Sequence, residues 1–403
     1  MFPLRLTVLL LYSCYTHLHP HAILGAPLTV RDISDELHKT TNQIITKYGY
    51  PCETHYITTE DGYILTVYRI PKRNPQPEGV KPQLPVLLVH GLFGSSADWV
   101  LLGPENALSF LLSDNNYDVW LINCRGTRYS MNHTTLDPES KPTMRRFWNY
   151  SWHEIGVYDI PATIDYILPL TQSKQIIHVG HSQGATSFAV MMSEKPEYNE
   201  KVIVHIAYAP AIFLCNIRNP LLKLPALSER TRLYTKLRAL LGDFNAGPQL
   251  YLLAEIGKII CQVGSSLHAV CKNIVSSLFD MSMGQILPNL LPILLGHYPA
   301  GASTKQLVHY SQSIIHCDFR KYQEGPESSS KYNLSHIRVP IYAYSGNLDT
   351  IQVTKDTVKY GKKLIGGFRK LYVIRNFAHS DFVFGKDAKR LVYNSTINIL
   401  NSL

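Results

Sequence analysis

The chain carries little charge for its size. Of its 403 residues, 17% are Asp, Glu, Lys or Arg, while 45% are hydrophobic. An unfolded linker or tail needs the opposite balance, so the composition excludes one. Acidic groups are the scarcer kind, 30 against 39 Lys and Arg, for a formal net charge of +9. No run of Lys and Arg is longer than a pair. The excess is therefore spread over the surface, which argues against a nucleic-acid partner and leaves only a mild attraction to anionic lipid. Long hydrophobic runs are also missing beyond the N-terminus. The greasiest, 286–295, is cut by Pro288 and Pro292, so no transmembrane segment is expected. No Cys/His spacing of the zinc-site kind occurs, and no metal or organic cofactor is expected. Internal repeats are absent as well. What remains is a chain long enough for one large α/β domain with an insertion, or for two domains.

The N-terminus reads as a secretory signal, with Arg5 ahead of the short apolar run Leu6 to Tyr12. Thr16, Ala22 and Ala26 are all acceptable cleavage points, so residues 1–26 are set aside from the folded part. Cys14 falls in this segment, leaving Cys52, Cys124, Cys215, Cys261, Cys271 and Cys317. Cys261 and Cys271 form the closest pair, in an amphipathic stretch able to fold back on itself, and a disulfide is expected there. The other four are expected to be buried thiols. Four glycosylation sequons begin at Asn132, Asn149, Asn333 and Asn394. These features suit a secreted protein, with lysosomal delivery as the alternative.

Thr54–Thr59 and Tyr63–Ile70 flank Asp61-Gly62 and read as a β-hairpin. Short β-rich apolar runs then alternate with helical stretches: Val86–Val89, Asp118–Ile122, Gln175–Val179, Ile203–Tyr208, Val339–Tyr344 and Leu371–Ile374. That rhythm predicts a mostly parallel, doubly wound sheet. From about 210 to 335 it stops. The interval shows helical pattern over Ser228–Leu241 and Gln249–Phe279 and no clear strand. It is too long for a plain loop, so the expected organisation is a core in two parts, 27–209 and 336–403, with a helical cap over 210–335.

Gly180-His181-Ser182-Gln183-Gly184 lies between a predicted strand and a predicted helix. A serine in so sharp a turn is held in strained dihedrals, and flanking glycines relieve the crowding. This is the nucleophile elbow of α/β-hydrolases, in which serine, acid and histidine follow in chain order. A serine hydroxyl needs a histidine to remove its proton, and the histidine needs a carboxylate to fix its tautomer. Asp349 stands just past the predicted strand ending at Tyr344 and is preferred to Asp356 and Asp381. His379 stands just past the strand ending at Ile374, with no histidine after it. The segment His90-Gly91-Leu92 follows another strand. Its Leu92 amide, with that of Gln183, is the expected oxyanion donor.

Several further stretches occur in order: Tyr48-Gly49-Tyr50-Pro51, Thr59-Glu60-Asp61-Gly62-Tyr63, Arg125-Gly126, Trp152-His153-Glu154-Ile155-Gly156 and His297-Tyr298-Pro299-Ala300-Gly301. Together with the elbow they resemble the animal acid lipases, from about Tyr48 to the C-terminus. The resemblance implies an α/β-hydrolase fold, Ser182, Asp349 and His379 as triad, and Leu92 and Gln183 as oxyanion donors. It also implies a capped acyl cleft with a mobile lid and a disulfide where Cys261 and Cys271 lie. Two stretches depart from the family pattern: Thr350-Ile351-Gln352-Val353-Thr354 after the acid, and Phe377-Ala378-His379-Ser380-Asp381-Phe382 around the histidine.

The expected activity is hydrolysis of long-chain acyl esters, triacylglycerol or sterol esters, at a lipid–water interface. The alternatives are a catalytically silent lipid-binding protein on the same fold and a carboxylesterase for small esters. Leu252, Ile256, Ile259, Ile260, Val263, Leu267, Val270, Ile274 and Leu278 fall close to one helical face. As a lid, that face would cover the acyl cleft. Ordinary packing of a fixed helix would produce the same periodicity.

Overall fold

A computed structural model describes residues 37–71, 84–228, 232–247, 251–324 and 329–403. The expected signal, 1–26, and Gln249 lie outside these residues. β1 (Glu53–Thr58) and β2 (Tyr63–Ile70) form the antiparallel hairpin, with Glu53 opposite Arg69. Gly62 closes its turn at φ +95°, where a Cβ would lie 2.7 Å from the His133 ring. Then come β3 (Pro85–Val89), β4 (Asp118–Ile122), the two-residue β5 (Asn132–His133) and β6 (Ile176–His181). β7 (Val202–Tyr208), β8 (Ile341–Gly346) and β9 (Phe368–Ile374) complete the sheet.

The nine strands form one sheet in the order β1-β2-β4-β3-β6-β7-β8-β9, with β5 paired to β2. All pairs from β4 to β9 are parallel, and β2 meets β4 antiparallel. This is the doubly wound architecture expected from the alternation of strand and helix. β3, β4 and β6 are buried throughout, which is why they read as continuous apolar runs. Successive side chains enter opposite cores: Leu87 and Val89 pack with Trp120 and Phe188, and Val86 and Leu88 with Val119 and Val179. β5 carries too few residues to show a pattern. β9 starts earlier than its apolar run, because the exposed Arg369 and Lys370 at this sheet edge mask its beginning.

Between β7 and β8 the described residues form helices Pro220–Ser228, Leu233–Leu241, Tyr251–Ile260, His268–Phe279, Leu290–His297 and Thr304–His316, with only isolated β-bridges. Among the described residues, no helix is long and apolar enough to cross a membrane. One expectation needs correction here. Cys215 and Cys317 are not free thiols but a disulfide spanning 102 residues, a separation at which spacing carries no signal; Cys52 and Cys124 are the free cysteines among the described residues. The apolar face of the 249–279 stretch is turned largely outward, with Ile274 and Leu278 also lining a cavity beside the Asp349 and His379 loops. It is folded back around the Cys261–Cys271 disulfide, and Ile256, Ile259, Val263, Leu267, Val270, Ile274 and Leu278 are all exposed, by 42% to 65%. Ile260 alone of the stripe is half-buried against the core, and the side chain of Leu252 lies outside the description.

Arg125 ties three segments together behind this sheet. Its guanidinium donates to both carboxylate oxygens of Asp61 at 2.6 and 2.9 Å, to Asp159 at 2.7 Å, and lies 4.0 Å from the centre of the Tyr63 ring. Arg125 and Asp159 are buried, and burial pushes the Asp159 carboxyl up to about 6 against the pull of the guanidinium. Arg125→Ala would strand that carboxylate without a counter-charge. A loss of about 3–5 kcal/mol is expected in denaturant unfolding with the disulfides intact; a loss under about 1 kcal/mol would show the pair to be dispensable.

Candidate active site

β6 ends at His181, and the helix Gln183–Glu194 begins two residues later. The residue between them, Ser182, sits at φ 51°, ψ −112°, a conformation that non-glycine residues rarely adopt. The turn survives because its backbone is pinned: Ser182 N–H donates to Tyr208 O at 2.9 Å, and Ser182 O accepts from Ala185 N and Thr186 N at 3.1 and 3.2 Å. Both glycines are sterically required. A Cβ at Gly180 would lie 2.7 Å from Ala185 N, and one at Gly184 would overlap Val89 O.

Two other strand ends meet this serine. Asp349 follows β8 and His379 follows β9. His379 Nδ1–H donates to Asp349 Oδ2 at 2.9 Å, and its Nε2 lies 2.8 Å from Ser182 Oγ, placed to accept the hydroxyl proton. The other carboxylate oxygen of Asp349 accepts from the amides of Ile351 and Gln352 at 2.9 and 2.6 Å. Ser182, Asp349 and His379 are 8%, 0% and 5% exposed, so these bonds compete little with water. Burial pushes the imidazole towards its neutral form. The Asp349 charge and hydrogen bond, then the charges of Asp280 and Asp381, outweigh it and raise the proton affinity of His379 above the ordinary value. His181 Nε2–H donates to the His379 carbonyl at 3.0 Å and steadies the loop.

The segment after β3 approaches the serine closely. A Cβ at Gly91 would lie 3.2 Å from that of Ser182. His90 braces it, bonding Gly91 O through Nδ1 at 2.8 Å and accepting from Cys124 N through Nε2 at 3.1 Å; burial holds this imidazole down at about 4. The amides of Leu92 and Gln183 take part in no hydrogen bond between described residues. That of Gln183 opens a 12-residue helix, whose N-terminal end favours negative charge. The Gln183 side chain accepts from Gln306 Nε2 at 3.0 Å, a contact from the β7–β8 segment that sequence reasoning missed.

The other carboxylates considered for the site do not bond the imidazole. Asp356 accepts from Asn216 N and Nδ2 at 2.9 and 2.6 Å. Asp381 accepts from Ala378 N at 2.7 Å and Ser282 N at 3.1 Å, and burial pushes it up to about 7. A cavity of about 1110 Å³ opens beside the Asp349 and His379 loops, lined by Asn219, Ile274, Leu278, Leu348, Thr350 and Ala378 among others; Ser182 and Leu92 are not in its wall. The sequon residues Asn132, Asn149, Asn333 and Asn394 are all exposed.

Residues 85–243 match the family model of the α/β-hydrolase fold, and residues 41–103 that of a partial α/β-hydrolase lipase region. A soluble variant of monoglyceride lipase from Saccharomyces cerevisiae has the same fold, with a TM-score of 0.52 at 16% identity over 94% of this chain and 99% of that one. The protein is an α/β-hydrolase. Over 386 residues it is 35% identical to Lipase 1 of Drosophila melanogaster, covering 93% of this chain and 82% of that protein. Over 404 residues it is 31% identical to gastric triacylglycerol lipase of Bos taurus, covering 97% and 98%. The chain belongs to this family of animal lipases and is a carboxylic ester hydrolase.

The geometry separates the three aspartates. Asp349→Asn should lower kcat on a soluble ester by about 10⁴, because an amide at that position favours the wrong imidazole tautomer. Asp381→Asn should cost less than about tenfold, since its partners are backbone amides rather than the imidazole. Equal losses, measured as kcat of the purified variants, would contradict the assignment.

Proposed function

We propose that this lipase cleaves long-chain acyl esters, triacylglycerol or sterol esters, through an acyl-enzyme on Ser182. The observation that carries the reading is the pair of bonds on one buried imidazole, Nε2 to Ser182 Oγ at 2.8 Å and Nδ1 to Asp349 Oδ2 at 2.9 Å. His379 takes the hydroxyl proton as Ser182 Oγ attacks the ester carbonyl. The amides of Leu92 and Gln183 receive the negative charge that develops on the carbonyl oxygen. The imidazolium, stabilised by Asp349, then protonates the leaving alcohol as the C–O bond breaks. Water next attacks the acyl-enzyme, giving a proton to His379, and the fatty acid leaves as His379 passes that proton to Ser182 Oγ.

The substrate class is supported by the relatives, one of which is a gastric triacylglycerol lipase, and by the exposed apolar stripe. Seven aliphatic side chains are exposed on one disulfide-stapled unit, five on its two helices and Val263 and Leu267 in the segment joining them. Such a surface is suited to a lipid–water interface. The β7–β8 segment is thus read as a cap, and the stapled helices as its lipid-facing part. Two disulfides and four exposed sequon asparagines support a secreted or lysosomal, glycosylated protein.

The test is turnover of emulsified triacylglycerol, emulsified sterol ester and a soluble short ester by the purified protein, with Ser182→Ala as the zero level. Replacing Ile256 and Ile259 together by Asp should lower activity on the emulsions by at least about tenfold, because burying each isoleucine in lipid contributes about 1.5–3 kcal/mol. Hydrolysis of the soluble ester should stay within about twofold. Equal loss on both, with a lower Tm, would mean that these side chains serve the fold instead.

A further inference from the structure

Asp280 belongs to neither β8 nor β9, yet it joins the loops that follow them. It ends the helix His268–Phe279 in a left-handed conformation, φ 48°, ψ 62°, and the residue is 7% exposed. Its Oδ2 accepts from Thr350 N at 2.9 Å, and its Oδ1 accepts from the Thr350 hydroxyl at 2.7 Å. The same Oδ2 receives a longer bond from His379 N at 3.4 Å, and the Asp280 carbonyl accepts from Ser380 N at 3.1 Å. Thr350 directly follows Asp349. One carboxylate therefore holds the chain beside the triad acid and the backbone of the histidine itself. Ser282 adds a second hold on the His379 loop alone, donating from N to Asp381 at 3.1 Å and from Oγ to Asn376 O at 2.9 Å.

The 2.9 Å bond between Asp349 and His379 joins residues 30 apart on two different strand ends. The two loops are tied to each other upstream, where Leu348 N–H donates to Phe377 O at 2.9 Å and Asn376 N–H donates to Asn347 Oδ1 at 2.7 Å; beside the triad residues themselves the tie comes from a third element, at Thr350 and His379. We propose that Asp280 is a positioning residue for ester hydrolysis, holding the Asp349 and His379 loops in mutual register. Since Asp280 closes the helix that presents Val270, Ile274 and Leu278 to solvent, it also makes the triad geometry depend on how that helix is seated. Cys271 lies in the same helix and is bonded to Cys261, so the far end of the element is fixed as well. This inference rests on reading Ser182, His379 and Asp349 as the reacting groups.

Two substitutions test it. Asp280→Ala removes every side-chain bond. Asp280→Asn can keep them without the charge: its carbonyl oxygen accepts from Thr350 N and His379 N, and its amide donates to the Thr350 hydroxyl, which accepts equally well. The measurements are kcat and KM on a soluble short ester, expressed per phosphonate-titrated site, and the low-field proton resonance of His379 Nδ1–H. The alanine variant should lose about 10- to 100-fold in kcat, as a displacement near 1 Å would cause. Its KM should change by less than about twofold, because the tie acts on the reacting groups rather than on ester binding. Its low-field resonance should be lost, while the asparagine variant should keep the resonance and recover kcat to within about threefold. An alanine variant with wild-type kcat per site would overturn the proposal. So would an asparagine variant as impaired as alanine, since the charge rather than the positioning would then matter. If the wild-type protein turned over no ester, the functional reading would fail, and the resonance would still decide whether Asp280 holds the pair.

Discussion

One imidazole, bonded at both nitrogens, is the constraint to which the rest of the structure answers. Its partners arrive from separate strand ends: Ser182 after β6 and Asp349 after β8, with His379 itself after β9. Parallel pairing of β6 with β7, β7 with β8 and β8 with β9 brings those ends to one edge of the sheet. Ligand and reaction sites of open α/β sheets lie at the carboxyl ends of the strands for the same reason. The serine is presented at the cost of an unfavourable backbone conformation, tolerable only because Gly180 and Gly184 leave room for β3 and the following helix.

Burial gives these polar contacts their strength and also makes them demanding. Asp349 is fully buried, so each of its oxygens must be occupied, and each is: one by the imidazole, the other by two backbone amides. The same requirement governs Asp159 with Arg125 and Asp280 with Thr350. In each case a carboxylate on one element is satisfied by donors on another, so hydrogen bonding and tertiary arrangement fix each other. The β7–β8 segment is held to the sheet in this way through Gln306 to Gln183, Asp280 to the Thr350 and His379 loops, and Tyr298 to Asp98 at 2.7 Å.

Much of this was legible in the sequence, for identifiable reasons. Buried parallel strands such as β3 and β4 declare themselves as unbroken apolar runs. The elbow is legible because its glycines are sterically compulsory. Asp349 and His379 could be picked out because each follows a strand in the order that the elbow requires, and the structure brings both to Ser182. Contacts that depend on the third dimension alone left no trace. Asp280 and Gln306 belong to no motif and stand far in the chain from the residues they bond. Cys215 and Cys317 are too far apart in the chain for their spacing to suggest pairing. The stripe from Ile256 to Leu278 was visible as a period, but period does not tell core from solvent; only the fold shows that it faces outward.

The most direct test of the account is covalent. A long-chain alkyl fluorophosphonate, which reacts with a serine only when a neighbouring base has activated it, would be incubated with the native protein and the adduct located by peptide mapping. The account predicts modification of Ser182 alone in the wild type, and none at that residue in folded His379→Ala. An adduct on another serine, or undiminished labelling of Ser182 without the imidazole, would contradict it.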